Sequence, residues 1–277
     1  MSNAMDFDSL ISLANKDNRQ AGDYVIDGLL HCGKCHTPKQ RRGEDINEWL
    51  TGKIISVRCS CAAQEAENSQ LKAKREEIEE LRKLCLPYDS MRRYTFANAE
   101  DLNAKHITIA KRYADVWEKV NHENISLAFW GNVGTGKSYA ALCIANALLD
   151  KKIPVKHIMS SDLVEEMSAK GEARQDFLKK ICQAPLLIID DVGAESDSSY
   201  AQTQLCRAID ARRESGKPFV ITTNYSLQEI ETEGAGAKAR IFDRLNGSCV
   251  FVKVEGESRR KAEGELRMKA FKKMLEV

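Results

Sequence analysis

An apolar run from Ile125 to Trp130 ends in Gly131-Asn132-Val133-Gly134-Thr135-Gly136-Lys137-Ser138, and a second apolar run, Tyr139 to Leu149, follows at once. Few local patterns restrict a fold as strongly. The segment satisfies G-x-x-x-x-G-K-[ST], which requires a strand before it and a helix behind it. Its glycines let backbone N–H groups curl around an anion at a helix N-terminus, where the peptide dipoles already favour negative charge. Lys137 adds a point charge for the phosphates, and the Ser138 hydroxyl suits Mg²⁺. Residues 131–138, with Tyr139 opening the helix, are therefore expected to bind ATP. A plain glycine-rich turn is the competing reading, and the flanking patterns weigh against it.

Further apolar runs at Val155 to Met159, Leu186 to Ile189, Phe219 to Thr223 and Val250 to Val254 are separated by helical segments. A helical pattern from Ala104 to Val120 precedes the first strand. This alternation predicts an α/β fold around a buried parallel sheet.

Pro185-Leu186-Leu187-Ile188-Ile189-Asp190-Asp191 is an apolar strand with carboxylates at its C-terminal end, where ligands gather in such sheets. Alone, a tandem Asp is a turn or a helix cap. Downstream of a complete phosphate loop, Asp190 is expected in the Mg²⁺ shell. Asp191 then becomes the general base for the attacking water, although aspartate reaches about one methylene less far than glutamate. The next strand ends Thr222-Thr223-Asn224, and Asn224 either orients that water or opens a turn. Arg240 and Arg244 lie one helical turn apart, free to be solvated, ion-paired or offered to another subunit's phosphate.

Nine cysteines are many for a reducing compartment, so clustered ones read first as metal ligands. Cys32-x-x-Cys35 and Cys59-x-Cys61 supply enough sulfur for a closed tetrahedral Zn²⁺ site, with His31 and His36 as substitutes for one thiolate. A site of this kind stabilises a segment too short to bury much core. Cys85, Cys143, Cys182, Cys206 and Cys249 lie among apolar neighbours and are expected to be buried small hydrophobes. Between the two regions, residues 64–87 mix Glu, Lys and Arg around a sparse stripe of Leu71, Ile78, Leu81 and Leu84, which predicts a solvated linker helix ending near Pro87.

The expected domains are thus a zinc-binding module at 5–63, the linker helix at 64–87 and a nucleotide-binding domain at 88–277. Ser2, Asn3 and Ala4 read as a leader left by expression, so the native chain is expected to begin at Met5. No apolar run approaches the roughly 20 residues that span a bilayer, and no secretory signal is visible, so a cytoplasmic protein with no membrane partner is expected. A net charge of +1 confines any nucleic-acid contact to a local surface.

In order, the phosphate loop, the Asp-Asp strand, the Thr-Thr-Asn strand, Arg240-x-x-x-Arg244 and Gly256-Glu257-Ser258-Arg259-Arg260 resemble the DnaC/DnaI-type helicase loaders and the related IstB transposition ATPases. The resemblance covers roughly residues 88–260. It implies an AAA+ core of the ASCE class, a three-layer parallel-sheet fold. It also implies sensor I at Asn224, a finger in trans at Arg244 rather than Arg240, and sensor II at Arg260. Arg259 falls where the family usually has another residue type, and Asp191 stands where many AAA+ proteins have Glu, which implies slow turnover. DnaI-like members carry a zinc-containing N-terminal domain that docks on the replicative helicase. The implied function is a helicase loader that binds replicative DNA helicase and single-stranded DNA, forms an ATP-dependent homo-oligomer and hydrolyses ATP with Mg²⁺. Alternatives are a transposition ATPase acting on duplex DNA with a transposase, a nucleotide-binding switch with little hydrolysis, and a small-molecule kinase, which lacks an arginine-rich lid segment here.

Overall fold

In the strand Leu186–Val192, Leu186 and Ile188 pack into one hydrophobic cluster while Leu187 and Ile189 pack into another. Successive side chains of a strand point to opposite faces, so this strand is buried on both, as a parallel sheet between helical layers requires. The computed structural model describes residues 19–43, 53–193, 198–225 and 237–275. The chain divides into two compact units, Met1–Glu77 and Ile78–Val277.

The first unit holds two short antiparallel ribbons, β1 (Tyr24–Ile26) with β2 (Leu29–His31), and β3 (Gln40–Arg42) with β4 (Ile54–Ser56). Helix α1 (Ser60–Cys85) carries the chain into the second unit. It starts earlier than the charge pattern suggests, because Cys61, Ala62 and Ala63 are uncharged yet helical, and alanine is the strongest helix former. No residue of α1 is buried, as its sparse apolar stripe implies.

The second unit continues with α2 (Asp89–Arg92), α3 (Lys105–Asp115), α4 (Trp117–His122), β5 (Ser126–Trp130), α5 (Lys137–Asp150), β6 (Val155–Met159) and α6 (Ser160–Ser168). It closes with α7 (Glu172–Gln183), β7 (Leu186–Val192), α8 (Ser199–Glu214), β8 (Phe219–Thr223), α9 (Ala237–Asn246), β9 (Cys249–Lys253) and α10 (Arg259–Met274). The strands form one parallel sheet in the order β6-β7-β8-β5-β9. Helices α3, α4 and α5 cover one face through Ile107, Trp117 and Leu148; α6 to α9 cover the other through Leu163, Ile181, Ile209 and Phe242. The result is the expected three-layer α/β core around a parallel sheet. Because β8 lies between β5 and β7, the ends of all three strands converge on the phosphate loop.

Three details differ from the sequence reading. The helix expected over 104–120 breaks at Val116 (φ −97°, ψ 28°), yet Tyr113, Ala114, Trp117 and Val120 all stay buried. Apolar periodicity runs straight through the break and does not reveal it. Strand β7 extends past Ile189 to Val192 and carries both aspartates within it. Of the five cysteines expected in the core, Cys143 and Cys206 are buried, whereas Cys85, Cys182 and Cys249 are half-buried. These three sit at element ends, in the last turns of α1 and α7 and the first residue of β9, where packing is incomplete. Residues 1–5, and the segment beyond Tyr225 into which a turn at Asn224 would open, lie outside the described residues. Among the described residues no helix is long and apolar enough to cross a membrane.

Candidate functional site

Beyond Trp130 the chain enters the loop through Gly131, whose φ of +142° lies in the region that L side chains rarely adopt. A Cβ there would lie 2.3 Å from the carbonyl oxygen of Val254, the residue after β9 that donates its own N–H to Trp130 O at 2.8 Å. Only glycine lets β9's exit press against the start of the loop. Inside the loop the Thr135 hydroxyl donates to Asn132 O at 2.9 Å, and Lys137 Nζ donates to Gly131 O at 2.9 Å and Asn132 O at 2.7 Å. Burial pushes the Lys137 ammonium below its ordinary range, opposed by the Asp191 charge and reinforced by Arg260. A partly desolvated cation at a helix N-terminus is the kind of place that suits an anion.

The loop is tied to β7 through Ser138, whose Oγ donates to Asp190 Oδ1 at 2.8 Å. The same oxygen accepts from Thr222 Oγ1 on β8, and His157 Nε2 on β6 stands 3.5 Å from Asp190 Oδ2. Burial pushes the Asp190 carboxyl up, yet the contacts with His157, Thr222 and Ser138 outweigh it and hold the group below the usual carboxylate range. An ionised carboxylate beside a hydroxyl at a helix N-terminus is the oxygen donor set that Mg²⁺ takes from protein when phosphates supply other ligands. No sequence pattern marks His157, and the Thr-Thr-Asn strand end does not reveal that Thr222 bonds Asp190; cross-strand neighbourhood is the missing signal.

Asp191 follows with φ +58°, a left-handed conformation that Asp tolerates better than most residues. The pairing of β7 with β8 shifts register between Ile189 and Val192, which turns the Asp191 side chain away from the ladder. Its N–H donates to Thr222 Oγ1, its carbonyl accepts from Ser160 Oγ, and its Oδ1 accepts from Asn224 Nδ2, each at 2.8 Å. Asp190, Asp191 and Asn224 therefore meet the loop in one cleft of about 460 Å³, a volume suited to a small-molecule ligand.

Both Arg259 and Arg260 line this cleft, although sequence reasoning singled out only Arg260. The Arg259 N–H donates to Gly134 O at 3.0 Å, and its guanidinium carbon stands 5.9 Å from the centre of the Tyr139 ring. Tyr139 in turn packs against Tyr94, 5.1 Å between ring centres, and its hydroxyl donates to Thr95 O at 2.9 Å. Arg244 is not brought here. It lies on α9, where its Nε donates to both Asp210 oxygens at 2.7 and 2.8 Å.

The other candidate site is in the first unit. The sulfur atoms of Cys32, Cys35, Cys59 and Cys61 all lie within 4.8 Å of one another, with Cys61 at 3.5 Å from Cys32 and 3.4 Å from Cys59. Zinc–thiolate bonds of about 2.3 Å put tetrahedral sulfurs roughly 3.8 Å apart, so the cluster fits a zinc site. Hydrogen bonding by Cys59, Cys35 and Cys32 pushes the Cys61 thiol up to about 12, while Ser60 and Thr37 hold Cys35 near 4. Zinc binds thiolates, so a metal held here would displace the remaining thiol protons. The knuckle is held from behind by Asp23, which accepts from Gly33 N at 3.0 Å, Gln20 N at 2.7 Å and the buried Lys39 Nζ at 2.7 Å. A Cβ on Gly33 would lie 2.1 Å from Gly22 O, so the turn between the first two cysteines requires glycine. His31 and His36 point elsewhere, to Leu29 O and the Tyr24 hydroxyl, both at 3.0 Å.

Residues 63–266 match the profile of the family described as IstB-like ATP binding protein. Among curated proteins, the chain is 28% identical over 226 residues to the replicative helicase loader DnaC of Escherichia coli K12, spanning 78% of this chain and 85% of that protein. It is 24% identical over 181 residues to the replicative helicase loader DnaI of Bacillus subtilis, spanning 60% of this chain and 58% of that protein. Crystal structures of DnaI and of the DnaC helicase loader share its fold, each with a TM-score of 0.51 over 61% of this chain, at 23% and 21% identity, covering 94% and 100% of those chains.

Proposed function

The chain belongs to the IstB-like ATP-binding protein family, and we propose that within it the protein is a replicative helicase loader that hydrolyses ATP. The observation carrying the chemistry is the 2.8 Å bond from Ser138 to Asp190, with Asp191 and Asn224 bonded to each other in the same cleft.

In this reading the loop amides and Lys137 hold the β- and γ-phosphates, and Ser138 with Asp190 holds Mg²⁺, whose charge neutralises the phosphate oxygens. Asp191 accepts the proton of the attacking water and Asn224 orients that water. Arg260 reaches the nucleotide from α10. Arg244 lies outside the cleft of its own chain, which leaves another copy's γ-phosphate as its target in an ATP-dependent homo-oligomer. The short reach of Asp191 favours slow hydrolysis stimulated by partners.

The loader assignment draws on the similarity to DnaC and DnaI and on the four-cysteine module ahead of the ATPase region. Zinc holds residues 5–63 as the helicase-binding module, residues 64–87 link it to the core, and residues 88–277 bind ATP and single-stranded DNA. The protein acts in the cytoplasm. Two assays test this. Phosphate release by the wild type should exceed that of Lys137→Ala and Asp191→Asn; equal rates in all three mean a nucleotide switch. Capture of the replicative helicase in the presence of ATP and Mg²⁺ should succeed with the full chain. Failure there, with ATP-dependent assembly on duplex DNA, means the transposition reading.

A further inference from the structure

We infer that Asp210 is a positioning residue for Arg244, anchoring its guanidinium by one edge so that the opposite edge is presented to a neighbouring copy. This rests on the trans-arginine reading above and adds the residue that makes it work.

The guanidinium is planar, with its donors in a fixed fork. Arg244 directs Nε to both carboxylate oxygens of Asp210, at 2.7 and 2.8 Å, and Nη1 to Arg240 O at 3.0 Å. Among the described residues, Nη2 has no hydrogen-bond partner. An arginine serving only as a structural tie would be expected to spend its Nη fork on the carboxylate, the bidentate geometry that recognises such groups best. Here Nη2 is the donor left over for a phosphate oxygen. The side chain is 30% exposed and the Asp210 side chain 35%, so the pair sits at the surface and can reach outward.

Asp210 lies on α8 and Arg244 on α9, and the two helices pack through Ile209, Ile241 and Leu245. The anchor is therefore set on rigid elements, as a group that must meet a transferring phosphoryl requires. Arg213, the penultimate residue of α8, places Nη1 3.7 Å from Asp210 Oδ1. A long flexible side chain on an exposed helix otherwise samples many rotamers, and loss of its anchor lowers the fraction aimed correctly.

Subunit mixing separates the two readings. Lys137→Ala disables a subunit's own phosphate loop but leaves Arg244 to be donated; Arg244→Ala leaves the loop but removes the donor. Mixed with ATP, Mg²⁺, replicative helicase and single-stranded DNA, the two should release phosphate faster than either alone. If they do not, the trans-arginine reading falls and this inference with it. If they do, the Lys137→Ala donor is replaced by Lys137→Ala/Asp210→Asn. We expect kcat of the mixture to fall by roughly tenfold to a hundredfold with KM for ATP unchanged, since the acceptor's pocket is untouched. Lys137→Ala/Asp210→Glu, which keeps the charge, should recover part of the loss. Thermal unfolding of both donors checks that they fold. Undiminished release with a folded Asp210→Asn donor, or an equal loss with Asp210→Glu, overturns the assignment.

Discussion

Asn224 Nδ2 donates to Asp191 Oδ1 at 2.8 Å, so the residue just after β8 restrains the carboxylate near the end of β7. Both strands are fixed here by other bonds as well: Thr222 Oγ1 accepts the Asp191 N–H at 2.8 Å, and Thr223 Oγ1 donates to Val192 O at 2.8 Å. The carboxylate is thus aimed by the sheet rather than by a mobile loop. It keeps its left-handed backbone because three neighbours hold it.

Replacing Asn224 should uncouple chemistry from binding. Asn224→Ala removes the donor that orients Asp191 but leaves Lys137, Ser138 and Asp190 in place. We expect kcat for phosphate release to fall by about a hundredfold with ATP affinity nearly unchanged, measured by steady-state turnover beside an ATP titration. Loss of ATP binding in a folded Asn224→Ala protein would assign the residue to the ligand instead of the water.

Arg212 should dominate the stability of the second unit. It is fully buried, and its guanidinium donates to the carbonyls of Ile181, Cys182, Ala184, Pro185 and Pro218. Several of these are unpaired carbonyls at the C-terminal end of α7, which the helix itself cannot satisfy. Burial lowers the Arg212 pKa to about 10, so the group stays charged at neutral pH. Arg212→Met strands these acceptors and should cost about 3–5 kcal/mol, read from urea unfolding. Arg212→Lys should recover little, since an ammonium cannot match the planar fork.

The first unit should be acid-sensitive through Asp23. Backbone donation from Gln20, the Lys39 ammonium and the Gly33 N–H hold its carboxyl at about 2. A carboxyl depressed from an unfolded value of about 3.9 stabilises the fold above that value. That contribution fades as pH falls through the folded pKa of about 2. Asp23→Asn should therefore exchange amide hydrogens faster than wild type over residues 24–42 at pH 5. The difference should shrink as pH approaches the lower value. A gap that widens on acidification would contradict the assignment.

Cys59→Ser should release zinc and expose the first unit to protease, because metal binding there is also folding energy. Metal content by atomic absorption and limited proteolysis read the two effects. Retained zinc with His31 or His36 recruited in its place would show that the ligand set is less fixed than the cluster of sulfurs suggests.

Much of this site is legible in the sequence because its parts are local. The phosphate loop is contiguous, its glycines answer to positive φ, and the apolar runs on either side set strand and helix. The cysteine pairs are legible for the same reason, the first spanning a turn and the second the start of α1. What escapes depends on which strands become neighbours. Strand β8 inserts between β5 and β7, and that order brings Thr222 onto Asp190; no spacing in the chain encodes it. His157 is hidden in the same way on β6. The Arg244–Asp210 pair spans 34 positions and joins two helices, so the arginine was visible as a candidate while its anchor was not. Arg212 looks from sequence like one more charge near a helix end, and only the convergence of strand and helix termini makes it a buried keystone.

An ATP titration of the wild type and Lys137→Ala, each with and without Mg²⁺, examines the phosphate cradle itself. The wild type should bind ATP more tightly with the metal than without it, and Lys137→Ala should lose most of that affinity. Indistinguishable curves for the two folded proteins would mean that residues 131–138 do not hold the triphosphate.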